Sequence, residues 1–299
     1  MTSAIDICVC TYRRPHVTKT LESIAGLRRP ADWLIRVIVA DNDDAPSART
    51  PVEDTARRCS LDVAYIHAPA RNISVARNAC LDAATAPLIA FIDDDETASP
   101  DWLTALVEAL ETNQADAVLG PVNAVYAAHY PGWMRQGDFH SIRPVWVRGS
   151  IITGYSGNTL FRCKAVQDLR FRRELGQSGG EDTLFFSELN KRGGKIVYAP
   201  DAVVAEAVPR ERARLLWLMK RAFRSGQTHG VVLLEFGGDK TLTRIRIIAM
   251  ECAKIAFCYA AMLPCLMRRD RAVFWLLRGV MHAGVLARTI GKREMRQYG

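Results

Sequence analysis

The amino-acid sequence predicts an α/β fold: a mostly parallel β-sheet flanked by helices, followed by a C-terminal helical extension. Three observations lead to this prediction. Short apolar runs alternate with segments of helical periodicity through the first half of the chain. Polar and acidic residues directly follow several of these runs, and residues 240–299 combine a strongly apolar composition with basic charge.

The first half of the chain supplies the alternation of strands and helices. Residues 5–10 form an apolar run of strand length, and Pro15 suits the first turn of the helix that follows. Residues 35–40 are rich in β-branched side chains and predict a second strand. Asn72 is a candidate N-cap for a helix over residues 73–84. The other predicted elements are strands at residues 63–66, 88–92 and 117–122 and a helix at residues 100–110.

Polar side chains stand where three of these strands end. The first strand is followed by Thr11, the second by the run DNDD at residues 41–44, and the strand over residues 88–92 by DDDE at residues 93–96. Ligands of open parallel sheets bind outside the carboxyl ends of the strands. The sequence therefore predicts a ligand site along one edge of the sheet.

The second half of the chain is less regular. Residues 123–180 are rich in Gly, Trp and Arg and suit a region that faces an acceptor substrate. Residues 182–191 predict a helix, residues 196–199 a strand, and residues 212–224 an amphipathic basic helix.

Basic charge is confined to the C-terminal segment. Residues 240–299 hold 12 of the 40 Lys and Arg residues and 3 of the 32 Asp and Glu residues, so they carry +9 and the rest of the chain −1. A nucleic-acid-binding protein more often spreads its basic residues over a folded face with aromatic residues between them. A basic and apolar end favours contact with an anionic membrane surface instead.

Two apolar stretches, at residues 245–267 and 272–290, predict two helices in this segment. A bilayer span needs about 20 predominantly apolar residues, and an ionised group at mid-bilayer costs roughly 2.5–3.5 kcal/mol. We therefore expect helices that lie in the membrane interface, with a helical pair packed on the catalytic domain as the alternative. The predicted domains are residues 1–235 and 240–299. The residues that interrupt the two stretches are Glu251, Lys254 and Pro264 in the first and Arg278, His282 and Arg288 in the second.

The eight cysteines are scattered and form no CxxC pair, which favours a reduced cytoplasm over a zinc site or a disulfide framework. The N-terminus lacks the pattern of a signal peptide, because Asp6 interrupts it. We expect the protein at the cytoplasmic face of the membrane.

The strongest chemical signal is LIAFIDDDET at residues 88–97. A buried strand delivers four consecutive carboxylates into one loop, and a divalent cation relieves their mutual repulsion. Asp93 and Asp95 point to the same side if the chain stays extended. One or two carboxylates suit Mg²⁺ or Mn²⁺ with positions left for diphosphate oxygens. The alternative is a solvated acidic turn that caps the next helix.

A second signal is GGEDTLFFSEL at residues 179–189. Two glycines permit a close approach of the backbone, and Glu181 and Asp182 open an apolar helix. Acidic residues at a helix N-terminus are also ordinary partners of the helix dipole. The functional interpretation is a general base, with Asp182 as the better candidate.

Together these motifs resemble the family-2 glycosyltransferases, which have the GT-A fold. The resemblance covers about residues 4–230 and rests on ICVCTYRRP, VIVADND, ARNISVARNACLDAATAPLIAFIDDDETASPDWL and GGEDTLFF. More narrowly, the stretches NISVARN, GDFHS, SGGEDT and RAFRSGQTHG and the ending QYG are similar to glucosyltransferases that build succinoglycan-type bacterial exopolysaccharide.

The resemblance implies roles for individual residues. Asp95 matches the direct metal ligand of the family's DxD motif, Asp93 the ribose or metal partner, and Asp94 its variable middle. Asp182 matches the catalytic base, with Glu181 beside it. The remaining residues implied to contact the nucleotide sugar are Thr11, Arg13, Asp41 and Arg77, with Arg221 and Arg224 near the diphosphate. A solvated basic helix face is the alternative for Arg221 and Arg224.

The function implied is inverting, metal-dependent transfer of one hexose. The resemblance indicates UDP-glucose as donor and a lipid-linked oligosaccharide as acceptor, in bacterial exopolysaccharide biosynthesis at the inner membrane. The QxxRW motif of processive polymerases is absent from the sequence, which favours the addition of a single sugar.

Residues 93–97 also satisfy the DxDxT pattern of haloacid-dehalogenase-type phosphatases, in which Asp93 would be the nucleophile and Asp95 the acid/base. That motif normally follows the first strand of its domain, whereas strand–helix units precede it here. A nicotinamide dehydrogenase is disfavoured because no strand is followed by GxGxxG, and a P-loop is also absent from the sequence. A non-catalytic membrane-binding protein is a further alternative.

Overall fold

The computed structural model describes residues 4–236 and 240–292. The ending QYG, at residues 297–299, and the last part of the predicted C-terminal segment lie outside the described residues.

Twelve strands and ten α-helices make up the described part of the chain. The strands are β1 (Ala4–Thr11), β2 (Leu34–Asp41), β3 (Val63–His67), β4 (Leu88–Asp93), β5 (Glu96–Ala98), β6 (Ala117–Leu119), β7 (Val122–Val125), β8 (Trp146–Val147), β9 (Ser150–Ile151), β10 (Asn158–Arg162), β11 (Ile196–Tyr198) and β12 (Val204–Ala207). The helices are α1 (Val17–Ala25), α2 (Arg49–Cys59), α3 (Ile73–Ala83), α4 (Trp102–Thr112), α5 (Gly132–Gly137), α6 (Cys163–Val166), α7 (Glu181–Lys191), α8 (Leu215–Phe236), α9 (Lys240–Met262) and α10 (Arg269–Thr289).

A seven-stranded sheet with the order β11-β6-β10-β4-β1-β2-β3 forms the centre of the fold. All its neighbouring pairs are parallel except the two that β10 makes with β4 and β6. This confirms the predicted mostly parallel sheet flanked by helices. The register pairs Thr11 with Asp41 and Cys10 with Asp93, so these strand ends lie along one edge, as predicted.

A second sheet, with the order β5-β12-β7, lies next to that edge. The prediction of a single strand at residues 117–122 is wrong. Strand β6 ends before Gly120, and the chain continues as β7 in the second sheet. A Cβ at Gly120 would stand 2.3 Å from the carbonyl oxygen of Ala202. The backbone can pass from one sheet to the other here only because that position has no side chain.

Apolar side chains fill both faces of the central sheet. One cluster includes Trp102 of α4 and the other Phe161 of β10, and both side chains are fully buried. The N-cap predicted at Asn72 is confirmed, since its side chain accepts hydrogen bonds from the amides of Ser74 and Val75. This cap fixes the start of α3 beside the carboxyl ends of the strands.

Glycines bring helix α8 into close contact with α10. A Cβ at Gly226 would stand 1.9 Å from the carbonyl oxygen of Met281, and one at Gly284 would stand 2.0 Å from that of Phe223. The basic helix predicted at residues 212–224 begins at Leu215 instead and is longer, because its C-terminal half has α10 to pack against. Residues 212–214 form a turn ahead of it.

Helix α9 is held to α10 by the buried side chain of Glu251, which contacts His282 at 2.6 Å. Its opposite side is apolar and exposed, with Ile245 at 59 % and Phe257 at 63 %. Within the described residues, Thr241–Cys265 is long and apolar enough to cross a membrane, by length and composition alone. The C-terminal helices are thus packed on α8 and also leave an apolar face uncovered. The predicted division into residues 1–235 and 240–299 stays a prediction.

We predict that Asn158→Ala lowers the free energy of unfolding by about 2–4 kcal/mol, because it leaves buried polar groups without partners. Asn158 is fully buried; its Oδ1 accepts from Trp102 Nε1 at 2.8 Å, and its Nδ2 donates to the carbonyls of Pro121 and Ala202. Urea unfolding measures the effect. Asn113→Ala, at an exposed helix end, is the matched control, and equal stability of the two variants would contradict the assignment.

Candidate active site

The acidic loop after β4 is tied to the loop after β1. Thr11 Oγ1 donates a hydrogen bond of 2.8 Å to Asp94 Oδ2, and Arg14 Nη1 lies 3.2 Å from Asp94 Oδ1. Burial raises the pKa of Asp94 to about 7, although Arg14 opposes the rise. Asp94 therefore points inward and organises the loop.

Asp95 and Asp93 lie on the more open side of the same loop. The Asp95 carboxylate pairs with Arg14 and lies 3.6 Å from Arg212 Nη2. Asp93 is half-buried, and its backbone amide donates to the Glu96 carboxylate at 3.0 Å. Desolvation raises the pKa of Asp93, and repulsion from Asp95 adds to the rise.

The buried guanidinium of Arg77 joins this loop to the start of α7. Its Nη2 lies 3.5 Å from Asp93 Oδ1, and its Nη1 donates to Glu181 Oε1. Arg77 also lies over the ring of Phe171, with its guanidinium carbon 5.5 Å from the ring centre. Burial and the neighbouring Asp182 raise the pKa of Glu181, which Arg77 opposes. One cation thus holds two acidic segments that are far apart in the sequence.

Asp182 stands in the first turn of α7, next to this contact. Its Oδ1 accepts a hydrogen bond of 2.6 Å from the Thr183 amide. Its charge raises the pKa of both Asp93 and Glu181, so the three carboxylates are close enough to repel one another. Gly180, with φ of 94°, caps the helix, and a Cβ there would stand 2.4 Å from Thr228 Cγ2 of α8. The structure therefore brings Asp93, Arg77, Glu181 and Asp182 together.

The predicted nucleotide contacts Asp41 and Arg13 are engaged within the protein. Asp41 is fully buried and accepts from the amides of Asp43 and Ala48 and from the Tyr65 hydroxyl at 3.0, 2.8 and 2.6 Å. Arg13 Nε donates to Asp43 Oδ1 at 2.8 Å. Both residues shape the loops at the ends of β1 and β2, and direct contact with a nucleotide stays a prediction.

Arg221 and Arg224 lie on α8, at the side of the site formed by β12. Arg221 Nη1 donates to the His140 carbonyl at 3.3 Å, and the His140 ring stacks on Trp217 with 5.4 Å between centres. Burial lowers the pKa of Arg221, while the charge of Glu206 opposes the drop. Arg221 is half-buried and hydrogen-bonded within the protein, and its contact with a diphosphate stays a prediction. The charge of Arg224 also lowers the pKa of Arg221, so the two guanidinium groups lie in the same region.

Three charged residues at the site escaped the sequence analysis: Arg14, Glu206 and Arg212. Arg212 contacts both Asp95 and Glu206. Burial raises the pKa of Glu206 to about 7, and Asp95 adds to the rise. Arg14 was within reach of sequence reasoning, since it follows Arg13 in TYRRP. Glu206 carries no sequence signal, because only the pairing of β12 with β5 brings it opposite Glu96.

The donors in the acidic loop suit a hard divalent cation. Carboxylates of Asp93 and Glu96 face Gly157, where a Cβ would stand 3.0 Å from Asp93 Oδ2 and 2.8 Å from Glu96 Oε1. No group of three or more His, Cys, Asp or Glu side chains arranged for a metal occurs in residues 4–236 and 240–292. A cation held by one or two carboxylates, with diphosphate and water oxygens completing its shell, fits this arrangement.

Comparisons with known proteins agree with this geometry. The family model for glycosyl transferase family 2 matches residues 6–170, more than half of the chain. The succinoglycan biosynthesis protein ExoM of Rhizobium meliloti is 50 % identical over 297 residues, covering 99 % of this chain and 96 % of that protein. The glucosyl-dolichyl phosphate glucuronosyltransferase of Haloferax volcanii is 27 % identical over 250 residues, covering 76 % and 77 % of the two chains.

Solved structures establish the fold. The mannosyltransferase PcManGT from Pyrobaculum calidifontis, in complex with GDP-Man and Mn²⁺, aligns with a TM-score of 0.67 at 17 % identity, covering 97 % of this chain and 88 % of that one. S. aureus TarS 1–349 in complex with UDP aligns with a TM-score of 0.56 at 17 % identity, covering 94 % and 91 %.

The phosphatase alternative is not supported, because residues 93–97 fall inside the family match and form the loop that faces α7. The predicted GT-A fold is confirmed, as is the predicted enzyme class. The chain belongs to glycosyltransferase family 2.

Proposed function

We propose that this enzyme transfers one hexose, glucose from UDP-glucose, with inversion to a lipid-linked oligosaccharide in bacterial exopolysaccharide biosynthesis, using Mg²⁺ or Mn²⁺. The observation that carries the proposal is the Arg77 contact with Asp93 and Glu181. It puts a cluster of candidate metal-binding carboxylates and a candidate base at one site.

Asp182 has the role of general base in this proposal. It takes the proton of the acceptor hydroxyl as that oxygen attacks the anomeric carbon, and the bond from that carbon to the diphosphate breaks as UDP leaves. The Thr183 amide donates a hydrogen bond to Asp182 Oδ1 and keeps this carboxylate oriented. Glu181 is paired with Arg77, so its role is to support the position of the base and not to act as the base.

The donor binds between the acidic loop and α8. Asp93 and Asp95 would hold the divalent cation, which would supply a Lewis acid for the leaving diphosphate. Arg212 contacts Asp95, and Arg221 lies near both Arg212 and Arg224, so these three residues are the candidates for binding the diphosphate. Orienting the donor against the acceptor can contribute up to about 7–11 kcal/mol of barrier reduction.

Donor and acceptor classes are supported by relatives. S. aureus TarS structures contain UDP and UDP-GlcNAc, and PcManGT contains GDP-Man with Mn²⁺. The relationship to ExoM supports an exopolysaccharide acceptor, and single-sugar transfer rests on the missing QxxRW motif.

The exposed apolar face of α9 supports a location at the cytoplasmic surface of the inner membrane. Arg244 and Arg246 stand near its start and Arg268 and Arg269 just beyond its end, all of them exposed. Basic residues at the margins of an apolar helix face are attracted to anionic lipid. The helix lies in the interface, because Glu251 and His282 anchor it to α10.

We predict that Asp182→Asn lowers kcat by about 10²–10⁴-fold while UDP–metal affinity changes little, because the amide cannot accept the acceptor's proton. Transfer is measured with radiolabelled donor and binding by calorimetry. Glu188→Gln, on the same helix and paired with Arg192, is the control. An equal loss of nucleotide binding in Asp182→Asn would contradict the assignment.

We predict that Arg77→Leu destabilises the protein by about 3–5 kcal/mol, because two carboxylates lose their buried cation. Adding Glu181→Leu recovers much of the stability and leaves transfer low, since Asp93 is no longer linked to α7. Urea unfolding and transfer assays of both variants test this. Full activity in the double variant would show that the link is dispensable.

We predict that EDTA abolishes donor turnover and that Mg²⁺ or Mn²⁺ restores it. In a panel of UDP- and GDP-sugars, we expect UDP-glucose to be the preferred donor. Asp95→Asn weakens metal-dependent UDP binding, because it removes a ligand charge. Mass spectrometry of the product shows one added hexose per acceptor. Turnover that survives metal removal, or a polymeric product, would argue against the proposal.

A further inference from the structure

A short hairpin projects from the region between β7 and β10. Strands β8 and β9 pair antiparallel, and the two residues that join them, Arg148 and Gly149, have φ of 50° and 82°. Positive φ at both central positions is the type I′ turn, whose twist matches that of the paired strands. The hairpin is therefore a defined structure and not a loose loop.

Three consecutive apolar side chains on this hairpin are exposed to solvent. Val145 is 65 %, Trp146 57 % and Val147 41 % exposed. Successive side chains of a strand point to opposite faces, so the outgoing strand β8 is exposed on both of its faces, whereas Ile151 of β9 is buried. In contrast, Trp102 in the core is fully buried. A rigid exposed tryptophan flanked by apolar residues is typical of a binding surface.

The base of the hairpin is anchored to the active-site edge of the sheet. On the outgoing side, Ile142 forms a bridge with Val122, and Arg143 Nη1 donates to the Val122 carbonyl at 3.0 Å. Val122 begins β7, which pairs with β12, the strand that carries Glu206. The segment that leads into the outgoing strand is thus tied to the sheet that carries Glu206.

The segment that follows the return strand β9 leads to the candidate active site. Ile151 is buried in the core, and a Cβ at Gly154 would stand 2.6 Å from the ring of Phe186, one turn along α7 from Asp182. Three residues later Gly157 lies against the carboxylates of Asp93 and Glu96. The hairpin is thereby joined, through the six residues that follow it, to α7 and to the acidic loop.

The chemistry of the exposed face suits a sugar ring. A pyranose carries one face of aliphatic C–H groups, and the electron-rich face of an indole attracts these polarised hydrogens while both surfaces leave water. A tryptophan has two side-chain torsions, so ordering it on a ligand costs little entropy. The apolar face of α9 is a separate surface, on the C-terminal helices.

We propose that Trp146, with Val145 and Val147 beside it, is an acceptor subsite that stacks on a pyranose of the saccharide acceptor. The proposal rests on the proposed function, because it assumes a sugar acceptor at Asp182. Trp146 orients the acceptor and takes no part in proton transfer.

The test uses the purified full-length chain in detergent, with acceptor lipid extracted from cells that lack this protein. Its soluble probe is the saccharide released from that lipid by mild acid, used as a competitive inhibitor. We expect Trp146→Ala to raise both the acceptor KM and the inhibition constant of the free saccharide by about tenfold. Hydrolysis of the donor with water as acceptor keeps the wild-type rate, and Trp146→Phe retains most of the affinity.

Leu34→Ala is the matched control, because Leu34 is 65 % exposed at the amino end of β2, on the opposite edge of the sheet. An unchanged inhibition constant of the free saccharide in Trp146→Ala would overturn the proposal. Loss of binding to anionic vesicles with no change in that constant would assign the hairpin to the membrane and also overturn it. If the wild-type chain neither hydrolyses a UDP-sugar nor transfers from it, the proposed function itself fails.

Discussion

The candidate active site depends on one buried charged group, the guanidinium of Arg77. Arg77, at the centre of α3, contacts Asp93 at the end of β4 and Glu181 at the start of α7. Its charge offsets repulsion between two acidic segments that the fold brings together. An isolated pair of buried carboxylates would shift toward the neutral form and lose its value for binding a cation. The guanidinium therefore allows the carboxylates to lie close together, and its two ion pairs also fix the positions of the acidic loop and the start of α7.

The surroundings of Arg77 explain why it can do this. Asn72 caps α3 and also donates to the Arg173 carbonyl, so the helix start and the segment before α7 are fixed to each other. Phe171 covers the guanidinium, and its ring stacks on Phe185 of α7 with 4.2 Å between centres. The same aromatic layer that forms the core below the sheet thus keeps water from the ion pair and strengthens it.

Helix α8 connects the site to the C-terminal helices. Its Thr228 packs on Gly180 at the start of α7, while Gly226 lies against α10. The surface that we propose for membrane contact, on α9, is therefore joined to the candidate base through α10 and α8. The segment that follows the hairpin contacts α7 elsewhere, through Gly154 and Phe186. The proposed lipid-linked acceptor would use such an arrangement, because its sugar would reach Asp182 while its lipid stays in the bilayer.

The sequence by itself determined the fold class, the edge of the sheet that holds the site, and the acidic motifs at residues 93–96 and 181–182. These follow from local rules: hydrophobic periodicity, strand ends and motif composition. Only the tertiary structure decided which charges meet. The contacts of Arg77 with Asp93 and Glu181 were not foreseen, and neither were Glu206 and Arg212, while the nucleotide contact of Arg77 stays a prediction. Ion pairs between residues distant in the chain depend on strand order and helix packing, which leave no periodic trace in the sequence.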